Sequence, residues 1–120
     1  VAWGPGEEFR AAAVVEAAGK GVYMAPPTEL GALAALLGGA DLVLGGDTGP
    51  VHLAASFGSP TLAVFLASDW HRNGPLGNHT AVVSGAADAP AAPSGTARTR
   101  PHRKVGAAEI MESARGLLAR

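Results

Sequence analysis

One segment of this 120-residue chain combines glycines, a hydroxyl, a carboxylate and an imidazole within nine residues. It is Leu44–His52, LGGDTGPVH, and it follows a short apolar run of the kind that forms buried parallel strands. Pro50 suits the first turn of a helix, so the segment is predicted to join a strand to a helix N-terminus. Backbone N–H groups at such a terminus favour an anion, phosphate above all. The N–H groups of Thr48, Gly49, Val51 and His52 are expected to cluster there, with the hydroxyl of Thr48 and the imidazole of His52 as further groups that could contact a phosphate.

Asp47 fits this phosphate site less simply, because a carboxylate beside a diphosphate repels it. We expect Asp47 to hold N–H groups of the loop or to accept a hydrogen bond from a hydroxyl of the ligand. The same residue types also occur where Asp47 or Thr48 only caps a helix and the glycines only turn the chain. From the residues alone, both interpretations stay open.

The elements around this segment predict an α/β fold with an open, mostly parallel sheet. Predicted helices lie at Glu7–Ala18, Glu29–Leu37, Val51–Phe57 and Ala107–Arg120. Predicted strands lie at Val22–Met24, Leu42–Leu44, Thr61–Phe65 and Thr80–Val83, with a loop at Ser68–His79. Strands and helices that alternate at this spacing form βαβ units. Open sheets of this kind bind ligands at the carboxyl ends of their strands, where Leu44–His52 lies.

Composition divides the chain into three predicted parts. Residues 1–84 form the globular domain, residues 85–104, rich in Pro, Ala, Ser and Gly, form a flexible linker, and residues 105–120 form a helix that docks on the domain. A helix that begins at residue 7 normally packs against a strand that precedes it. We therefore expect this sequence to be part of a longer chain.

Composition and charge also exclude several classes of protein. Hydrophobic residues make up 48% of the chain and aromatic residues 5%, which predicts an aliphatic core rather than disorder. Residues 1–84 carry three basic and seven acidic residues, which argues against a nucleic-acid surface. The absence of cysteine excludes disulfides and zinc–cysteine sites. No apolar run reaches the roughly 18 residues of a membrane span, so a cytoplasmic location is expected.

Four motifs in order resemble glycosyltransferase family 9, the ADP-heptose:lipopolysaccharide heptosyltransferase group. Gly45–Phe65, GGDTGPVHLAASFGSPTLAVF, resembles the family pattern D-(T/S)-G-x-x-H-L-A-A followed by G-x-P-T and a strand. Ala2–Glu8 resembles W-G-x-x-x-E, Ala25–Leu30 resembles L-P-x-x-x-L, and Asn73–Gly77 resembles N/T-G-P-Y-G. The resemblance covers about residues 2 to 84 closely and the final helix loosely.

The resemblance implies a GT-B fold, in which two Rossmann-like domains face each other and the C-terminal one holds a nucleotide-sugar donor. This chain resembles only that C-terminal domain. By similarity, Thr48 and Gly49 bind the donor diphosphate, His52 supports the same phosphates, and Asp47 orders the loop or touches the sugar. Either Glu7 or Glu8 approaches the ribose, although acidic residues in a first helical turn also stabilise the helix by themselves. No metal or other cofactor is implied.

The implied reaction is inverting transfer of a sugar, heptose from ADP-heptose or a related donor, to a lipopolysaccharide-type or other glycan acceptor. The general base and a phosphate-binding lysine belong to family positions upstream of the Trp-Gly motif, which this sequence does not include. We therefore expect the chain to hold a donor without completing the transfer alone, with the N-terminal domain as its partner. The alternative is a non-catalytic nucleotide-binding module or an inactive remnant of such an enzyme.

Two segments depart from the family pattern or lie outside it. Leu66–Arg72 replaces the usual G-P-T-D-P run. His71 and Arg72 in this loop could add positive charge to the ligand site, but a solvated loop is the favoured interpretation. A basic run in the predicted linker offers at most peripheral contact with the cytoplasmic face of an inner membrane. It consists of Arg98, Arg100, His102, Arg103 and Lys104.

Overall fold

The structure, a computed structural model, describes residues 1–66, 68–85 and 103–120. These residues form two compact units, Val1–Leu36 and Leu37–Arg120. The predicted linker at residues 85–104 falls for the most part outside the described residues, as do Arg98, Arg100 and His102 of the basic run. The predicted division at residues 84 and 105 therefore stays a prediction.

The first unit contains α1 (Glu8–Ala18) and most of α2 (Leu30–Gly38). Helix α1 ends at Gly19, whose φ of 78° lies in the left-handed region that glycine adopts without strain. Both helices agree with the sequence prediction to within one residue at each end.

The predicted strand at Val22–Met24 does not form. This segment forms backbone hydrogen bonds with Val1. The Val1 amine donates to Tyr23 O at 2.6 Å, and Ala25 N donates to Val1 O at 2.9 Å. A strand needs a ladder of such bonds along consecutive residues, and the prolines that follow Ala25 have no N–H to extend one. The apolar triplet predicted a strand wrongly, because the hydrogen bonds of a sheet depend on a neighbour that local sequence does not specify.

The second unit is built on a three-stranded parallel sheet. Its strands are β1 (Val43–Gly45), β2 (Thr61–Phe65) and β3 (Thr80–Ser84), in the order β1-β2-β3. Its helices are α3 (Gly49–Ser56), the one-turn α4 (Trp70–Asn73) and α5 (Ala107–Leu118). Parallel strands joined through helices confirm the predicted α/β class and its C-terminal helix.

The two faces of this sheet are covered by different helices. On one face, Leu62 and Val83 pack with Ala114 and Leu117 of α5. On the other face, Ala63 and Phe65 pack with Val51 of α3. The core is aliphatic as predicted, apart from Phe65, which is one of the largest fully buried side chains among the described residues.

Strand β1 differs from its prediction in burial. Its apolar run predicted a strand covered on both faces, yet Leu44 is 54% exposed while Val43 is 8% exposed. Because β1 is an edge strand of the described sheet, it has a neighbour on one side only. An apolar run therefore predicts a strand more reliably than it predicts how that strand is covered.

The predicted loop at Ser68–His79 contains the short helix α4, which the sequence analysis missed. Asp69 caps it, because its Oδ1 accepts a hydrogen bond from His71 N at 3.1 Å. The ring of Trp70 packs against the α3 face of the core. A single helical turn has no periodic apolar pattern, so the only sequence signal for it is the capping aspartate.

Helix α5 is joined to the end of β3 by Gly85 and Arg103. Gly85 N donates to Phe65 O at 2.7 Å, and Arg103 N donates to Gly85 O at 2.7 Å. The guanidinium of Arg103 donates from both terminal nitrogens to the carboxylate of Glu109, with Nη1 2.7 Å from Oε2. This bidentate pair ties the first turn of α5 to the backbone that extends β3.

We expect the Arg103–Glu109 pair to make stability depend on pH in the acid range. The hydrogen bond from Arg103, aided by its charge, holds the pKa of Glu109 below its ordinary value of 4.5. A carboxylate with a lowered pKa in the folded chain stabilises the fold above its ordinary pKa, and this contribution is lost as pH falls through the folded value. Urea midpoints should therefore fall more steeply between about pH 6 and about pH 3 for the parent chain than for Glu109→Gln.

Glu112→Gln is the matched control for this measurement, because Glu112 is an exposed glutamate on the same helix. Its pH profile should follow that of the parent chain. Identical profiles for the parent chain and Glu109→Gln would contradict the role given to the ion pair.

Candidate functional site

The candidate site is the connection between β1 and α3, at the carboxyl edge of the sheet. Strand β1 ends at Gly45 and α3 begins at Gly49, so Gly46, Asp47 and Thr48 form the connection. A Cβ placed on Gly45 would lie 2.6 Å from Cγ2 of Val51, which is well inside van der Waals contact. Only glycine therefore allows α3 to pack this closely on the end of β1.

The start of α3 leaves backbone donors available for a ligand. Thr48 holds the N-cap position with extended backbone, and its side chain makes no capping hydrogen bond among the described residues. Pro50 has no N–H, so the N–H groups of Gly49 and Val51 are the donors of the first helical positions. The sequence left open that the side chain of Thr48 caps this helix, and the structure does not contain that hydrogen bond.

Asp47 and His52 contact each other across this helix start. Asp47 Oδ1 lies 3.4 Å from His52 Nε2, which is at the long end of hydrogen-bond distances. The side chains are 29% and 40% exposed, so solvent and ligands reach both groups. Both residues were candidates from the sequence, but their contact was not predicted. Its only signal in the sequence is a carboxylate and an imidazole five residues apart.

Gly49, unlike Gly45, has open space where a Cβ would lie. A Cβ on Gly49 would meet no atom of the described residues within 4 Å, so packing does not require glycine there. Its backbone angle φ also does not lie in the left-handed region. Open space beside an N–H donor at the start of a helix is compatible with a ligand that approaches the backbone.

The two candidate glutamates belong to the first unit and differ in their partners. Glu7 is the N-cap of α1, and its Oε2 accepts a hydrogen bond from Gly4 N at 3.0 Å. Glu8 lines an open cleft of about 490 Å³ beside Trp3, Phe9 and Met24. Trp3 is held there by a 2.7 Å hydrogen bond from its Nε1 to Ala25 O. Glu7 therefore stabilises the turn before α1, while Glu8 is a carboxylate in a partly aromatic cleft.

The loop after β2 lies at the same carboxyl edge as the β1–α3 connection. In it, the rings of Trp70 and His71 stack with centroids 3.8 Å apart and an interplanar angle of 30°. Arg72 is exposed. The role of His71 and Arg72 in binding stays a prediction, because stacking and exposure fit both a solvated loop and a ligand-facing one.

The described residues offer neither a cluster of metal ligands nor a membrane-spanning helix. In residues 1–66, 68–85 and 103–120, no group of three or more His, Cys, Asp or Glu side chains could hold a metal ion. Within the same part of the chain, no helix has both the length and the apolar character needed to cross a bilayer.

A parallel sheet with a glycine-rich connection into a helix at its carboxyl edge defines a Rossmann-like α/β protein. Residues 1–101 match the family model of glycosyltransferase family 9 (heptosyltransferase). The chain therefore belongs to glycosyltransferase family 9, which places it among the glycosyltransferases and confirms the resemblance seen in its motifs. No curated protein and no solved structure gives a match.

Proposed function

We propose that this chain binds the nucleotide-sugar donor of a family 9 glycosyltransferase, with ADP-heptose or a related nucleotide sugar as the ligand. The observation that carries this proposal is the connection Gly46–Thr48, which joins the carboxyl end of β1 to the uncapped start of α3 inside the matched family region. The reaction served is inverting transfer to a lipopolysaccharide-type or other glycan acceptor, in a GT-B enzyme of the cytoplasm.

The donor diphosphate is proposed to bind at the amino end of α3. The N–H groups of Gly49 and Val51 point along the helix axis at the positive end of its dipole. Pro50 contributes no N–H to this group of donors. The imidazole of His52 supplies a further donor from the first turn, and the hydroxyl of Thr48 adds another. These groups would also stabilise the charge that collects on the nucleoside diphosphate as it leaves.

By family resemblance alone, Glu7 or Glu8 is expected to approach the ribose of the donor. A carboxylate accepts hydrogen bonds from both hydroxyls of a ribose, and Glu8 lines a cleft whose other walls are largely aromatic and apolar. Glu7 has one oxygen bonded to Gly4 N and one oxygen left to accept a further bond. The general base that activates the acceptor is proposed to lie in the N-terminal domain of the enzyme.

Calorimetric titration with ADP tests this proposal. The parent chain should bind ADP, and His52→Ala should bind it about tenfold or more weakly, because a hydrogen bond to a charged group is lost. Gly49→Ala should also bind ADP more weakly, because its new methyl group enters the space proposed for the phosphates. The thermal midpoint of Gly49→Ala should stay at or above that of the parent chain, since the methyl group meets no atom of the described residues.

His79→Ala is the control for His52→Ala, because His79 is an exposed histidine immediately before β3, at the amino edge of the sheet. It should bind ADP as the parent chain does. Absence of ADP binding to a folded parent chain, or equal affinity in His52→Ala, would contradict a donor site at α3.

A further inference from the structure

Asp47 brings a negative charge to the place where the proposed donor site receives a diphosphate. We propose that Asp47 is a positioning residue that holds the His52 imidazole in the free chain, yields it to the donor, and selects the nucleotide sugar over the free nucleoside diphosphate. This inference rests on the proposed function, because it assigns a role within the same site.

Asp47 contacts one particular nitrogen of the His52 imidazole. Asp47 Oδ1 lies against His52 Nε2, at the tip of the imidazole that faces away from the backbone. That tip is the part of His52 best able to reach a ligand beyond the helix start. The carboxylate therefore occupies in the free chain a position next to the nitrogen that a phosphate oxygen would use.

The contact between Asp47 and His52 is easily displaced. A separation of 3.4 Å between partly exposed groups gives a weak interaction, which solvent screens. Such a contact restricts the rotation of the imidazole without fixing it. An incoming diphosphate therefore displaces the carboxylate from Nε2 at a small cost in free energy.

The nucleotide-sugar donor and the free nucleoside diphosphate differ in charge. A free nucleoside diphosphate carries one more ionised oxygen than the same diphosphate esterified to a sugar. Repulsion from the Asp47 carboxylate is therefore larger for the free diphosphate than for the sugar ester. A unit charge a few ångströms away near a solvated surface changes a binding constant by about five-fold. Asp47 would thereby weaken binding of the product that remains after transfer and favour its replacement by a new donor.

Titrations of Asp47→Asn with ADP and with ADP-glucose test this role. Asn keeps the size and the hydrogen-bonding oxygen of Asp but removes its charge. The variant should bind ADP about five-fold more tightly than the parent chain, with a smaller gain for ADP-glucose. Asp41→Asn is the control: Asp41 is exposed, precedes β1 at the opposite edge of the sheet, and changes the net charge equally. It should leave both affinities unchanged.

The outcomes separate this inference from the proposed function. If the parent chain binds ADP and Asp47→Asn binds it equally or more weakly, the role of Asp47 is overturned while the donor site stands. If the folded parent chain and both variants bind neither nucleotide, the donor site is overturned and the inference falls with it.

The state of the His52 ring gives a second readout that a purely structural role would not change. With Nε2 donating to Asp47, the ¹⁵N signals of His52 in the free parent chain should report mainly the Nε2–H tautomer. Asp47→Ala, which removes the acceptor oxygen, should move this balance towards that of a solvated imidazole, Asp47→Asn, which keeps an acceptor oxygen, should restore it in part, and Asp41→Asn should leave it as in the parent chain. An unchanged tautomer balance in Asp47→Ala would overturn the positioning role.

Discussion

Replacement of Leu62 by alanine is expected to lower the free energy of unfolding by about 2–5 kcal/mol. Leu62 lies on the central strand of the sheet, is 0% exposed, and packs with Val83, Ala114 and Leu117. Its removal would lose the transfer free energy of the side chain and leave a cavity between the sheet and α5. Because β2 is held by strands on both sides, the backbone has little freedom to collapse into that cavity.

Leu44→Ala is the matched control for this measurement. Leu44 is the register partner of Leu62 on the adjacent strand, yet it is 54% exposed. The same chemical change there should cost less than about 1 kcal/mol, because most of the side chain already contacts water. Urea unfolding followed by far-UV circular dichroism measures both variants, and equal losses of stability would contradict the burial pattern of the sheet.

Replacement of Gly45 by alanine is expected to lower the free energy of unfolding by about 1–3 kcal/mol, in the range of overpacked cores. The new Cβ would lie 2.6 Å from Cγ2 of Val51, and Val51 is itself 2% exposed. A buried valine has few alternative rotamers, so α3 must move away from the end of β1 to relieve the clash. Such a movement would also displace the donors at the amino end of α3.

Gly49→Ala provides the control, since a Cβ there meets no atom of the described residues within 4 Å. The stability of Gly49→Ala should equal or exceed that of the parent chain, whereas Gly45→Ala should lose stability. Both variants should bind ADP more weakly, Gly45→Ala because the donors of α3 are displaced and Gly49→Ala because its methyl group enters the space proposed for the phosphates. Thermal unfolding and ADP titration of the two variants give four values to compare. A fully stable Gly45→Ala would show that the contact between β1 and α3 is less tight than the structure indicates.

The fold was largely predictable because its signals are local. Strand β2 was predicted at Thr61–Phe65, where the structure has it, since it is a continuous apolar run between turn residues. Helix α3 was predicted from Pro50 and the glycines around it, and α5 from the apolar spacing along one face. Helix α4 was missed because a single turn carries no periodicity.

The residues of the candidate site were selected from the sequence, but their arrangement was not predicted. Asp47, Thr48, Gly49 and His52 were all selected from their types and spacing, and the family match covers the segment that contains them. The contact between Asp47 and His52 was not foreseen, since it depends on side-chain directions at the turn into α3. The sequence also did not predict that Glu7 bonds to Gly4 N while Glu8 lines a cleft, because neighbouring glutamates at a helix start have the same local propensity.

The sequence by itself determined the class of sheet, the place of the strand-to-helix connection and the family of the chain. Those properties follow from apolar runs, turn residues and ordered motifs, each of which acts over a few consecutive residues. Only the tertiary structure decided that Leu44 is exposed, that Gly45 is required by Val51, and that Val22–Met24 forms no strand. These three features depend on which segments, distant in the sequence, pack against each residue. Local propensity does not specify those neighbours.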